Sequence, residues 1–366
     1  MSRALLCNPD WDALLDRLGG GEAIEALARE TKAFVRPRVI SNAIDLLRLL
    51  LAYSLEDLSL RGTAAWAEAV GLANLSNVAV LYRLRQCGDW LAALVERAFI
   101  AGAPAAAKHG RLIRIVDGTA VPQAGSEARK KNQIWRIHSA FDLPAERFAG
   151  FVLTTQKDGE TLDRIPVVAG EIRVADRVHM HADHIAAVLE AGGDVVVRTG
   201  WKSVGWLDAE GQPFDLIACL RKNAEAGLID QPIWVRRKNR EPLAMRMVAV
   251  RKSPQACEIA RRNARRQAQQ GGHQVSQETL HAADWVIIIT SLDPEHFPTN
   301  DILDLYRLRW RIELAFKRLK SLIGLKGPPG KDPRSARAYI LAHLLMILLL
   351  EPLVDAFEDS PHWAND

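Results

Sequence analysis

Two short apolar segments that each end in an aspartate constrain the fold of this chain more than any other feature. Residues 111–117 (RLIRIVD) and 172–176 (IRVAD) combine strand-forming residues with a terminal acid. Inside a sheet an ionised carboxylate is costly unless something compensates its charge. Asp117 and Asp176 are therefore expected at the carboxyl edge of a mixed sheet, where divalent cations would hold both. Taken singly, either aspartate is also explained as a turn cap.

The surrounding segments predict the rest of that sheet. Residues 134–142 and 147–155 read as strands that form an antiparallel meander with the first one, and Gly118-Thr119 reads as a turn. Further strands are expected at residues 194–198, 214–220, 232–235, 245–250 and 285–291, and helices at 161–169, 184–191 and 256–270. Strands separated by helices at this spacing favour a mixed α/β sheet.

The N-terminal 105 residues differ because their apolar residues show no period of two, which predicts helices. Residues 63–71 and 76–86 resemble two short helices joined by a glycine turn. A helix-turn-helix for DNA has this pattern, and so has any small helical bundle.

Charge is informative through its distribution. The 366 residues carry a net charge of only +4, yet residues 234–266 hold eleven basic side chains against Glu241 and Glu258. This stretch fits a polyanion. It belongs to residues 200–283, where the α/β pattern loosens as it would in an insertion.

Other sequence features argue against metal-binding modules, disulfide-rich proteins, exported proteins and membrane proteins. The four cysteines lie far apart, which argues against a zinc module and a disulfide framework. No export signal precedes the first helix. Residues 340–350 are strongly apolar but too short to span a membrane, so we expect a buried helix.

A helix predicted from Thr299, as its N-cap, to about Gly324 carries the third acid. At 100° per residue, one arc of about 80° holds a tyrosine, three cations and one carboxylate, beside an apolar stripe. The arc comprises Tyr306, Arg309, Glu313, Lys317 and Lys320. It suits a metal-ligating acid surrounded by groups that bind phosphates.

The spacing Tyr306-x2-Arg309-x3-Glu313-x6-Lys320 resembles the Y-R-E-K motif of bacterial DDE transposases of the insertion-sequence-four family. Asp117-Gly118-Thr119 looks like that family's first acid, and Ala175-Asp176-Arg177 like its second. The resemblance covers about residues 106–350 and, more weakly, the helical N-terminus.

That resemblance implies an architecture. It consists of a helical DNA-binding domain at 1–105, an RNase H-like catalytic domain of mixed sheet and flanking helices at 106–199 plus 284–360, and a β-rich basic insertion at 200–283. It also implies cut-and-paste transposition, with DNA cleavage at the element ends and transfer of the freed 3′-hydroxyl into target DNA. Asp117, Asp176 and Glu313 would hold two Mg²⁺ ions, with Mn²⁺ as a substitute.

The implied partners are double-stranded DNA, as inverted-repeat ends and as target, and a second copy of the chain in the synaptic complex. The protein would be cytoplasmic, associated with the nucleoid and not with a membrane. Tyr306, Arg309 and Lys320 would contact phosphates. Trp285 would stack on a flipped base, or it is simply packed at a strand start.

The second acid has a rival. Asp183 lies in His179-Met-His181-Ala-Asp183-His184, a metal-like cluster close to Asp176. Asp176 is preferred because a strand leads directly into it, whereas Asp183 falls at the start of a helix, where aspartate is common. The histidines are interpreted as DNA-facing or structural.

Two other functions remain as alternatives: a DNA-binding regulator that has lost catalysis, and an RNase H-like nuclease that cuts without joining. Clustered carboxylates are costly to retain without catalysis, which argues against the regulator. The phosphate-binding arc and the insertion favour the transposase over the nuclease.

Overall fold

The computed structural model describes most of the chain. The described residues are 8–56, 58–100, 110–122, 134–142, 147–155, 157–309, 327–330 and 332–358. Glu313, Lys317 and Lys320 lie outside them, so the part of the predicted Y-R-E-K helix beyond Arg309 stays a prediction.

Nine strands among the described residues form one mixed sheet. They are β1 (Ile113–Pro122), β2 (Ile134–Asp142), β3 (Arg147–Thr155), β4 (Ile172–Ala175), β5 (Asp194–Thr199), β6 (Trp206–Leu207), β7 (Leu228–Arg237), β8 (Arg240–Arg251) and β9 (Trp285–Thr290). Their order is β3-β2-β1-β4-β5-β9-β8-β7-β6. Only β1, β4 and β5 pair in parallel; the other pairs are antiparallel.

Helices cover both faces of this sheet. They are α1 (Asn8–Arg17), α2 (Gly20–Glu30), α3 (Ala43–Leu55), α4 (Leu60–Ala69), α5 (Asn77–Gln86), α6 (Gly88–Ile100), α7 (Ala182–Glu190), α8 (Leu216–Lys222), α9 (Pro254–Gln270), α10 (Gln277–Ala283), α11 (Thr299–Arg307) and α12 (Pro333–Glu358). None of these is long and apolar enough to cross a membrane.

Alternation along the strands divides the core in two. On one face, Ile115 of β1 and Val174 of β4 join a cluster with the N-terminal helices, α11 and α12. On the other, Val116 and Ala175 join a cluster with α7, α8 and α10. Ile340 and its neighbours are buried in the first cluster, which confirms the buried helix expected at residues 340–350.

The expected meander of β1, β2 and β3 is confirmed, but the turn at Gly118-Thr119 is wrong. β1 continues to Pro122 because β2 pairs with it along its whole length. Gly118 is needed for another reason. A Cβ there would lie 2.9 Å from the Cδ of Glu160, whose carboxylate pairs with Arg136 on β2.

Two predicted elements are wrong in their secondary structure. Residues 161–169 make turns instead of a helix because buried Arg173 on β4 takes the carbonyls of Leu162 and Pro166 as acceptors. Residues 214–220, expected as a strand, lie largely in α8. Asp215 caps that helix through Ala218 N–H at 2.9 Å, and its apolar face is buried.

Of the helix expected from Thr299 to Gly324, the structure describes only residues 299–309. α11 stops at Arg307, and Arg309 N–H donates to the carbonyl of Tyr306 at 3.1 Å, which is a tight turn rather than an α-helical bond. Neither glycine nor proline marks this end, so the sequence held no signal for it. Thr299 is the first helical residue, and Pro298 takes the cap position.

Candidate active site

The two predicted aspartates lie side by side at the carboxyl edge of the central strands. The parallel pairing of β1 and β4 ends at Val116 and Ala175, directly before Asp117 and Asp176. Asp117 alternates with Ile115, and Asp176 with Val174, so both side chains lie on the face covered by α11.

Local hydrogen bonds orient both carboxylates in the same way. The N–H of Gly118 donates to Asp117 Oδ1 at 2.8 Å, and the N–H of Val178 donates to Asp176 Oδ1 at 2.9 Å. Within the described residues, no hydrogen bond is formed by either Oδ2. Each carboxylate therefore has one oxygen fixed by the backbone and the other available to a ligand.

The electrostatics differ between the two aspartates, and the negative charge of Asp117 is only partly compensated. The pKa of Asp117 is raised to about 6, mainly by burial and in part by the charge of Asp176, against lowering by the Gly118 N–H, His179 and Arg309. Burial also raises the pKa of Asp176, but hydrogen bonds from His179 and Val178 outweigh it, so the net pKa is lowered. A cation between the two carboxylates would relieve this.

The end of α11 brings Tyr306 and Arg309 to the same place. Ile302, Leu303 and Leu305 pack the helix onto the sheet, and the turn after Arg307 puts Arg309 within electrostatic reach of both aspartates. Tyr306 and Arg309 are half-buried and line a cleft together with Asp176.

That cleft has a volume of about 640 Å³ and opens at the carboxyl end of β5. Among the described residues that line it, five Lys or Arg side chains face one carboxylate, Asp176: they are Arg177, Arg198, Lys202, Lys252 and Arg309. Small and amide side chains of α9 and α10 form the opposite wall. A cationic cleft that includes an acid at one end can hold a phosphodiester chain beside that acid.

Trp285 lies in the wall of this cleft but is only 3% exposed, and its indole nitrogen has no hydrogen-bond partner in the described structure. Its ring packs in the cluster with α7, α8 and α10. An indole this buried can stack on a base only after the wall has moved.

The rival acid is bound elsewhere. Asp183, in the first turn of α7, accepts a hydrogen bond from Arg237 Nε at 2.9 Å, and this bond lowers its pKa. Of the neighbouring histidines, His184 pairs with Asp163 at 2.9 Å, whereas His179 contacts Asp176.

The basic stretch at residues 234–266 is partly neutralised. Arg237, Arg246 and Arg261 form ion pairs with Asp183, Asp230 and Asp284. Seven of the eleven cations are exposed: they are Arg236, Lys238, Arg240, Arg251, Arg262, Arg265 and Arg266. The positive charge that this stretch offers to a polyanion is thus lower than its formal charge.

The sequence did not place Arg198, Lys202 or Lys252 at this site, and it did not predict the contact of His179 with Asp176. Arg198 had a usable signal, because it ends a strand, DVVVR, that runs parallel to β4 and so reaches the same edge. Lys252 had none, since only the antiparallel pairing of β8 with β9 brings it there.

Comparison with known proteins identifies similar sequences over nearly the whole chain. A family model described as "Transposase DDE domain" matches residues 108–349. The putative transposase InsL for insertion sequence element IS186A of Escherichia coli (strain K12) is 36% identical over 359 residues, which cover 96% of each chain. The transposase for insertion sequence element IS421 of Escherichia coli is 36% identical over 360 residues, again with 96% of each chain covered.

Proposed function

Because this chain belongs to the transposase DDE domain family, we propose that it moves an insertion sequence by cut-and-paste transposition. The observation that carries this proposal is the juxtaposition of Asp117 and Asp176 at the end of paired parallel strands, with Arg309 beside them. The Y-R-E-K spacing at residues 306–320 supports a closer place among bacterial transposases of the insertion-sequence-four family, with an RNase H-like catalytic domain.

Asp117, Asp176 and Glu313 are proposed to hold two Mg²⁺ ions, for which Mn²⁺ can substitute. The two described aspartates fit such ions, since each offers an oxygen without a hydrogen-bond donor and the charge of Asp117 is only partly compensated. When bound, the ions supply activation of the attacking oxygen and stabilisation of the leaving one.

The chain's own residues do the binding and orienting. Arg309, and Tyr306 next to it, hold a phosphate of the element end beside the aspartates, and Lys320 provides a third contact. In cleavage, the water oxygen bonds to phosphorus, the bond from phosphorus to the 3′ oxygen breaks, and the proton lost by water is balanced by the one that this 3′ oxygen gains. In transfer, the freed 3′-hydroxyl oxygen bonds to a target phosphorus, the bond from that phosphorus to the target's 3′ oxygen breaks, and a proton again passes from the attacking hydroxyl to the leaving oxygen. Fixing both reactants in line supplies much of the rate.

The DNA is proposed to run through the cationic cleft, with its backbone on Arg198, Lys202 and Lys252. Trp285 would contact a base once the cleft wall opens. Helices α4 and α5, which lie where the helix-turn-helix was expected, bind the terminal repeats as part of a helical domain at residues 1–105. Two copies hold the two element ends, in the cytoplasm at the nucleoid.

The test is cleavage and joining of DNA that carries the flanking inverted repeats, with Mg²⁺. Asp117→Asn, Asp176→Asn and Glu313→Gln should each lower the cleavage rate by about a thousandfold or more, which corresponds to about 4 kcal/mol of activation free energy. Asp183→Asn is the matched control, since it removes an equally charged carboxylate seven residues from Asp176, and should retain activity.

Other outcomes would identify a different protein. If Asp183→Asn abolished cleavage while Asp176→Asn did not, the second acid would be Asp183. Binding of the ends without any cleavage by the wild type would favour a DNA-binding regulator. Cleavage without strand transfer would favour a nuclease.

A further inference from the structure

His179 is a buried histidine for which the proposed DNA chemistry has no use. Residues Arg177–His179 form one turn of 3₁₀ helix directly after Asp176. Arg177 and Val178 are exposed, yet His179 is only 1% exposed. The N–H of His179 donates to the carbonyl of Asp176 at 3.2 Å, and this bond closes the turn and returns the imidazole to the carboxylate.

The imidazole acts on one particular oxygen. His179 Nδ1 lies 3.3 Å from Asp176 Oδ1, the same oxygen that accepts the Val178 N–H at 2.9 Å. Two donors on Oδ1 fix the rotation of the carboxylate about its last bond. Oδ2, which has no hydrogen-bond partner in the described structure, is thereby held as the oxygen available to a ligand.

Stability does not explain this histidine. At 3.3 Å its bond to Asp176 is longer than a strong charge-assisted hydrogen bond. Its other nitrogen, Nε2, is buried without a partner among the described residues, and a buried polar atom without a partner costs about 1–3 kcal/mol. An apolar side chain of similar volume would avoid that cost, so the imidazole has a role other than packing.

We propose that His179 is a positioning residue whose Nδ1–H holds the Asp176 carboxylate so that Oδ2 can ligate a divalent cation. This inference rests on the proposed role of Asp176 as a metal ligand. Groups that hydrogen-bond to a ligating carboxylate fix its direction, and their loss lowers metal affinity by about 10–100-fold. Because Nδ1 donates, Nε2 has no proton in the neutral ring and is an acceptor that lacks a donor in the described structure.

The chain contains a matched control. His184 and Asp163 also form a histidine–aspartate ion pair, with Nδ1 2.9 Å from Oδ1, but both are partly exposed and neither contacts Asp117 or Asp176 in the described structure. Removal of this imidazole changes the same chemistry a few residues away. His184→Ala should therefore leave metal binding unaltered.

The experiment measures Mn²⁺ binding to the full chain without DNA, by calorimetry and by electron paramagnetic resonance. His179→Ala should weaken binding by about tenfold or more. In His179→Asn the amide nitrogen falls near the position of Nδ1, so this variant should stay within about threefold of wild type. In His179→Gln it falls near Nε2, and we expect a loss similar to that of alanine.

Several results would overturn the inference. These are Mn²⁺ affinity in His179→Ala within about threefold of wild type, affinity retained by glutamine but not by asparagine, or equal losses in His179→Ala and His184→Ala. If alanine unfolds the protein, the asparagine and glutamine pair decides alone. Asp176→Asn separates the two proposals: unaltered affinity there removes Asp176 as a ligand, whereas loss there with normal His179→Ala binding removes only the role of His179.

Discussion

The two ends of strand β4 hold carboxylates in opposite circumstances. At its amino end Glu171 is fully buried, and each of its oxygens is paired, Oε1 with Arg173 and Oε2 with Arg114 at 3.0 Å. At its carboxyl end Asp176 and its neighbour Asp117 each have one oxygen bonded locally and the other without a donor in the described structure.

The paired carboxylate at the amino end stabilises the fold, whereas the two carboxylates at the carboxyl end each have an oxygen available to a ligand. Arg173 pairs with Glu171 and also donates to the carbonyls of Leu162 and Pro166, so it ties the loop at residues 161–169 to β4. At the carboxyl end burial outweighs the donors and cations around Asp117, whose pKa is raised to about 6 mainly by burial and in part by the charge of Asp176. Incomplete compensation is therefore the property that marks the candidate site.

The largest expected change in the free energy of unfolding comes from Arg173, at the amino end of β4. Arg173→Met keeps most of the side-chain volume but leaves Glu171 buried with only Arg114, and it frees two carbonyls. The free energy of unfolding should fall by about 3–5 kcal/mol, as for a buried ion pair that loses one partner. Urea denaturation followed by tryptophan fluorescence measures this. The control, Arg177→Met, removes an exposed arginine close by and should change stability by less than about 0.5 kcal/mol.

At the carboxyl end, replacement of a charged residue should raise the free energy of unfolding instead of lowering it. A carboxylate whose folded pKa is raised stabilises the fold below its unfolded pKa, and this stability is lost as the pH rises through about 6. At pH 7 without metal, Asp117→Asn should thus raise the free energy of unfolding by about 3 kcal/mol, the free-energy equivalent of a pKa raised from 3.8 to about 6. Mn²⁺ at about a hundred times its dissociation constant should stabilise the wild type by about 2.7 kcal/mol and leave this variant unaltered.

Thermal unfolding in chelator and in Mn²⁺ checks both parts. Glu171→Gln is the informative comparison, since it should lower stability in either solution. Equal shifts by Mn²⁺ in the wild type and in Asp117→Asn would mean that the carboxyl end does not bind the ion.

Much of this arrangement was predictable because strands carry local patterns. Apolar runs that end in an acid located Asp117 and Asp176, and the segment lengths gave β2 and β3 at the bounds observed. The sequence also predicted burial of the apolar stretch within α12. Each of these depends on residues adjacent in the chain, so period and composition are sufficient.

Features that depend on distant partners were not predictable. A turn-rich segment replaced the helix at residues 161–169 because Arg173 captures its carbonyls, and Lys252 reaches the cleft only through the pairing of β8 with β9. The end of α11 had no local signal. His179 read as one histidine in a metal-like cluster, and only its burial and its 3.3 Å contact distinguish it from His184.

The smallest expected effect concerns His138, a buried histidine on β2 that is paired with Gly118 of β1. Its Nε2 bonds to Thr154 at 2.8 Å, but Nδ1 has no partner in the described structure. Burial, with the charges of Arg164, Arg136 and His179, lowers its pKa from 6.5 to about 4. The folded state therefore favours the neutral ring, and the stability that this gives is present above pH 6.5 and lost as the pH falls towards 4.

Between pH 7 and pH 5 this loss should amount to about 2 kcal/mol. His138→Gln keeps a donor for Thr154 but cannot titrate, so it should lose less stability than the wild type over that interval. Asp117 changes stability in the opposite direction over the same pH range, which is why the difference between the two proteins, and not either curve alone, is the quantity to measure. Urea denaturation at both pH values gives this difference. If the wild type and His138→Gln lost the same free energy of unfolding between pH 7 and pH 5, folding would not lower the pKa of His138.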